Sequence, residues 1–120
     1  MYGENEPEPE RKKTVPTPLG ERVREIRRKR GLTLEGLAER VGSSKSYMWE
    51  IENKDVARPS AEKLALIATA LDTTVEYLLV GDGEQEEEHA EDVAFYRKYK
   101  KLDAPVKERL RKMLDILDDD

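Results

Sequence analysis

Lys45, Ser46, Trp49, Glu50 and Asn53 are spaced so that a single helix carries all five on one side. At about 100° per residue they fall within an arc of roughly 140°. Tyr47, Met48 and Ile51 fall on the opposite side, with Glu52 at the boundary. One side anchors the helix, and the other presents an ammonium, a hydroxyl, an indole, a carboxylate and an amide. These groups suit the reading of base edges in a DNA major groove: a carboxylate accepts from cytosine N4, lysine donates to guanine, and an aromatic ring meets a thymine methyl. Lys45, Ser46, Trp49 and Glu50 are therefore the candidate base-contacting residues. Nothing comparable points to catalysis. The chain has no Cys, a single His (His89, beside a Glu run) and no glycine-rich phosphate loop after a strand. No enzyme, cofactor or metal site is expected.

The reading helix needs a partner to hold it at the right angle, and the preceding residues supply one. Leu34, Leu37, Ala38 and Val41 follow the i, i+3, i+4, i+7 spacing of a helix over about 34–41, with Thr33 as its N-cap. Gly42 stands where that helix must stop and reverse. Ser44 is placed to cap the next helix, about 45–53. Upstream, Pro18 to Arg30 reads as a basic helix with an apolar stripe at Leu19, Val23 and Ile26, and Gly31 stops it. Most of its charges are expected to form a solvated face. Downstream, Ser60 caps a helix whose apolar face is Leu64, Ile67, Ala68 and Leu71. Thr74 caps a short fifth helix with Val75, Leu78 and Leu79.

The stretch resembles the helix-turn-helix of the Cro/CI/Xre class of phage and bacterial repressors. The resemblance rests on Thr33, Leu37-Ala38, Val41-Gly42, Ser44, Ser46-Tyr47, Ile51-Glu52-Asn53 and Arg58-Pro59-Ser60, and it extends over about Leu19 to Leu79. It implies an all-α, five-helix domain that binds double-stranded DNA. It assigns Thr33, Ser44, Asn53, Lys54 and Arg58 to the DNA backbone and pairs Arg27 with Glu52 as a structural brace between the first and third helices. Three positions depart from the class. Leu34 replaces the usual Gln that contacts a phosphate, Ser43 replaces an apolar residue and is expected to loosen the turn, and Lys54 replaces the Gly after Asn53.

Charge is distributed unevenly around this domain. The whole chain is −5, which by itself argues against a nucleic-acid binder. Residues 18–80 carry eleven bases and ten acids, whereas residues 81–120 carry eight bases and thirteen acids. The acidity thus lies outside the helix-turn-helix, whose binding must depend on how its bases cluster. Residues 1–17, rich in Glu and Pro with one basic cluster at Arg11-Lys12-Lys13, read as a disordered arm. Residues 81–90 read as an acidic linker.

Residues 91–117 read as a C-terminal helical pair, and 118–120 as an acidic tail that frays at a helix C-terminus. In the pair, one helix runs from Asp92 to about Lys101 and a second begins at Asp103 or Ala104, with a stripe of Val106, Leu110, Met113, Leu114 and Leu117. Helices this short do not bury their own apolar faces. They must dock on the first domain, on a second copy or on another protein. The resemblance favours a homodimer on a palindromic operator. The leading expectation is a dimeric transcriptional repressor. The alternative is an antitoxin or adaptor that holds a toxin or other protein with its C-terminal helices. No apolar run is long enough to span a membrane, Met1 to Leu19 has no apolar h-region, and the absence of Cys suits the cytoplasm.

Overall fold

A threonine or serine hydroxyl opens each of the first five helices. The computed structural model describes residues 16–55 and 59–118. Within them, α1 (Pro18–Lys29), α2 (Leu34–Val41), α3 (Lys45–Asn53), α4 (Ala61–Ala70) and α5 (Val75–Leu79) precede α6 (Glu84–Lys100) and α7 (Ala104–Asp118), with no strand among the described residues. Thr17, Thr33, Ser44, Ser60 and Thr74 each accept a bond from the backbone N–H three positions on, at 2.9–3.1 Å. Each such cap satisfies an amide the helix itself leaves unpaired and stabilises it by roughly 1 kcal/mol. Thr17, assigned from sequence to the N-terminal arm, is thus the cap of α1. Residues 1–15 of the arm lie outside the described residues.

The five helices close over one apolar core. Val23 and Ile26 of α1, Leu37, Ala38 and Val41 of α2, Met48 and Ile51 of α3, Ile67, Ala68 and Leu71 around α4, and Leu78 of α5 form a single buried cluster. Gly42 ends α2 in the left-handed conformation, φ 76°. The amides of Gly42 and Ser43 both reach the carbonyl of Ala38 at 2.9 Å, which closes the turn and reverses the chain into α3.

The basic face of α1 is mostly not solvated, contrary to the reading from its charge run. Arg22 donates to the carbonyls of Leu78 (2.9 Å) and Leu79 (2.7 Å) at the end of α5. Arg30 donates to the carbonyls of Leu71 (2.9 Å) and Asp72 (3.2 Å) at the end of α4. Arg24 and Arg27 turn toward α3. Four guanidiniums are therefore used as internal staples, satisfying carbonyls and a carboxylate that neighbouring helices leave open.

The C-terminal segment differs most from expectation. The residues read as a linker are helical from Glu84 onward, so the break between α5 and α6 is only Val80–Gly83, with Gly81 and Gly83 at positive φ. Helix α6 rests on the domain through buried Ala90 and Ala94. Charged contacts flank that seam: Lys29 with Glu87, Arg30 with Glu91 (3.3 Å) and Lys98 with Asp72 (2.7 Å). The Glu87 carboxylate holds the Lys29 ammonium above its usual pKa. Helix α7 has no buried residue. It meets α6 where Lys107 and Arg111 lie over the Tyr99 ring, at 5.4 and 5.9 Å. Met113, Leu114, Ile116 and Leu117 are all exposed. The described residues extend 68 × 28 × 23 Å along their principal axes, and no helix among them is long and apolar enough to cross a membrane.

Candidate nucleic-acid interface

Helix α3 buries one side and presents the other. Met48, Ile51 and Glu52 are buried, and Tyr47 is half-buried against the core. Lys45, Ser46 and Trp49 are exposed, while Glu50 and Asn53 are partly exposed. The four candidate base-contacting residues thus share one accessible side of a helix whose opposite side is fixed in the core.

The brace beneath α3 is bidentate. Arg27 Nε donates to Glu52 Oε2 at 2.6 Å and Arg27 Nη2 to Oε1 at 3.0 Å, while Nη1 donates to the Leu32 carbonyl at 2.9 Å. Arg27 is 8% exposed and Glu52 1%. A planar guanidinium matched to a carboxylate fixes orientation as well as distance. Glu52, read from sequence at the boundary of the helix faces, is drawn fully inward because its charge has this partner.

The candidate backbone-contacting residues divide into three groups. Thr33 and Ser44 sit at the N-termini of α2 and α3, and each oxygen accepts a capping amide. Among the described residues neither hydroxyl donates a hydrogen bond, and both stand beside the positive ends of helices. Thr33, Ser43 and Lys45 border a shallow concavity that also contains Glu35 and Glu39. Lys54 belongs to a second group, folded back onto the helix: its Nζ lies 4.0 Å from Glu50 Oε2 and 5.8 Å from the Trp49 ring centroid. Asn53 is the third case. Its side-chain amide nitrogen donates to the Trp49 carbonyl at 2.9 Å, and its Oδ1 accepts from Arg24. Arg58 lies outside the described residues.

Each departure from the repressor class has a local consequence. Leu34 is partly buried against the core rather than offered to solvent. The Ser43 hydroxyl accepts from Lys63 Nζ at 2.6 Å, tying the turn to α4. That bond opposes the loosening expected there. Three residues near the site were missed in the sequence: Gly20, Arg24 and Lys63. Gly20, Arg24 and Arg27 stand at i, i+4 and i+7 on α1, so spacing puts them on one face, but it does not name α3 as the partner of that face. At Gly20 a Cβ would lie 2.4 Å from the Ile51 carbonyl oxygen, so only glycine permits this approach of α1 to α3.

Comparison with known proteins agrees with this geometry. Residues 18–78 match the family described as "Helix-turn-helix domain". Over 61 residues the chain is 36% identical to the HTH-type transcriptional regulator SinR of Bacillus subtilis (strain 168), covering 51% of this chain and 55% of that protein. It is 38% identical over 61 residues to the uncharacterized HTH-type transcriptional regulator YobD of Bacillus subtilis (strain 168), covering 49% and 52%. The chain spans about half the length of these curated relatives. Among solved structures, the N-terminal DNA binding domain of SinR from Bacillus subtilis aligns with a TM-score of 0.51 and 35% identity, over 55% of this chain and 96% of that one. The SinR protein/SinI protein complex aligns with a TM-score of 0.51 and 28% identity, over 83% and 94%.

Proposed function

The chain belongs to the helix-turn-helix domain family, and on that premise we propose that it is a sequence-specific double-stranded DNA-binding transcriptional regulator, a dimeric repressor that reads the major groove with α3. The observation that carries the reading is the division of α3 itself. Its inner face is fixed in the core by Met48, Ile51 and the Arg27–Glu52 pair, while Lys45, Ser46, Trp49 and Glu50 stand outward. A helix so held presents a fixed set of donors and acceptors to base edges, and the capped N-termini of α2 and α3 meet the phosphates. Its similarity to SinR, named as a transcriptional regulator, and to a domain described as DNA binding supports the same reading. A cytoplasmic location follows from that function.

In this proposal residues 91–117 join two copies on a palindromic operator, because α7 presents Leu114, Ile116 and Leu117 uncovered. Selection of sites from random duplex DNA over a salt series tests the function. One palindromic consensus is expected, with log affinity falling linearly as log salt rises. Failure of the parent chain to bind any duplex in a salt-dependent way removes the proposal.

A second reading, an antitoxin or adaptor that engages another protein through its C-terminal helices, is favoured by the same exposed α7. One alignment over 83% of this chain is to a chain from a structure described as a SinR protein/SinI protein complex. Mass measurement in solution separates the two: a self-pairing chain gives a dimer on its own, whereas an adaptor remains a monomer until its partner is added.

A further inference from the structure

We infer that Arg24 is a positioning residue for base reading, acting through Asn53 on the last turn of α3, and that Asn53 serves this relay rather than a phosphate. The inference rests on the DNA-reading function proposed above. Helix α3 ends without a left-handed residue: Lys54, at its C-cap, is extended with φ −123°. Its backbone N–H closes only on the Glu50 carbonyl. Arg24 approaches the remaining acceptors of that turn from α1. Its Nη2 donates to Asn53 Oδ1 and lies 3.4 Å from the Glu52 carbonyl oxygen, while its Nε is 3.6 Å from Glu52 Oε1. Asn53 passes the constraint one turn back, since its amide nitrogen donates to the Trp49 carbonyl. Both ends of the Asn53 amide are thereby occupied within the protein, and the amide orientation is set by its two partners. The chain of contacts runs from α1 to the backbone of Trp49, from which the indole and the neighbouring Glu50 carboxylate project. A helix end frays unless its carbonyls are satisfied. Here a guanidinium from another helix supplies that function, with the two-pronged reach a lysine lacks.

Trp49 is the only tryptophan in the chain, so its fluorescence reports on this turn without any DNA present. The test uses the full chain and its Arg24→Lys, Asn53→Ala and doubly substituted forms. Three quantities are measured: acrylamide quenching of Trp49, unfolding in urea, and binding to the selected operator, its single-base variants and random duplex over a salt series. Arg24→Lys is expected to raise quenching. It should also lose about tenfold in discrimination at the base pair beneath Trp49 and Glu50, with the salt slope unchanged because the charge is kept. Asn53→Ala is expected to reproduce both effects, and adding Arg24→Lys to it should cost nothing further. Equal weakening on every duplex by Arg24→Lys, with unaltered quenching, overturns the inference and makes Arg24 a phosphate contact. Additive losses in the double variant overturn the relay through Asn53. Should Arg24→Lys fail to fold, Asn53→Ala decides on the same readouts. Absence of sequence preference in the parent chain refutes the proposed function, whereas unchanged quenching in both variants refutes the Arg24–Asn53 link by itself.

Discussion

Arg27 and Glu52, on α1 and α3, meet in a two-pronged pair at 2.6 and 3.0 Å with almost no solvent on either side chain. Desolvating two charges is costly, so the pair adds little to stability relative to an apolar replacement of both. Breaking it is different, because the survivor is left charged and buried. Glu52→Ala is expected to lower unfolding stability in urea by about 3–5 kcal/mol. Replacing both residues with Met should recover most of that loss. If Glu52→Ala unfolds at the parent's midpoint, the pair does not carry the brace.

Gly20 makes a second prediction whose sign runs against helix propensity. Alanine at a helix interior position is normally better than glycine by about 1 kcal/mol. At Gly20 the added methyl meets backbone, the Ile51 carbonyl oxygen at 2.4 Å and that of Glu52 at 3.0 Å. Backbone of a packed helix cannot rotate aside, so α1 and α3 must separate. Overpacking of this kind costs about 1–3 kcal/mol or more. Gly20→Ala is therefore expected to destabilise the domain in chemical denaturation and to weaken operator binding. A neutral or stabilised variant shows that the two helices part without loss.

The features legible in the sequence are those whose cause is local. Thr33, Ser44, Ser60 and Thr74 cap helices that begin beside them, and Gly42 turns the chain within its own hydrogen-bonding reach. The fates of Arg22, Arg24 and Arg30 were not legible, because their acceptors lie 28 to 57 positions away. A run of basic residues on a helix has the same spacing whether it faces water or staples its neighbours. The start of α6 was missed for another reason. Its first two turns carry Glu and Gln, which favour helix as isolated residues but show no apolar stripe. The residues that dock it, Ala90 and Ala94, are too small to mark a buried face in a hydrophobicity pattern. The brace between Arg27 and Glu52 came from family resemblance, since neither charge declares its partner.

The exposed stripe of α7 gives a third prediction. Leu114 and Leu117 are among its most exposed apolar side chains, and no residue of α7 is buried in the single chain. Introducing charge there should leave the fold intact while removing self-association. Leu114→Glu with Leu117→Glu is expected to sediment as a monomer and to unfold as the parent does at high dilution. Operator affinity should then fall, because each half-site is bound separately and the linkage that raises effective concentration is lost. A doubly substituted protein that remains dimeric moves the interface to another surface, with Phe95 and Tyr96 of α6 the next exposed pair.

The last prediction separates reading from attraction on α3. Glu50 is a carboxylate on the outward face, so it repels phosphates while offering an acceptor to cytosine N4. Lys45 opens the helix near the concavity bordered by Thr33 and Ser43, where its long stem spans either a guanine edge or a phosphate. Glu50→Ala should therefore change the preferred base at one position of each half-site, at a cost of about 1–3 kcal/mol in discrimination, and tighten binding to random duplex. Its removal also frees Lys54, whose ammonium lies 4.0 Å from the Glu50 carboxylate. The released charge strengthens non-specific attraction in the same direction. Lys45→Gln should lower the salt slope by about 0.9 if its ammonium meets a phosphate, and leave the slope unchanged with one altered base preference if it meets guanine. Binding of each variant to the selected operator, its single-base variants and random duplex across a salt series makes both measurements at once. Equal weakening on every sequence by Glu50→Ala takes it off the reading face and leaves Ser46 and Trp49 to carry the selection.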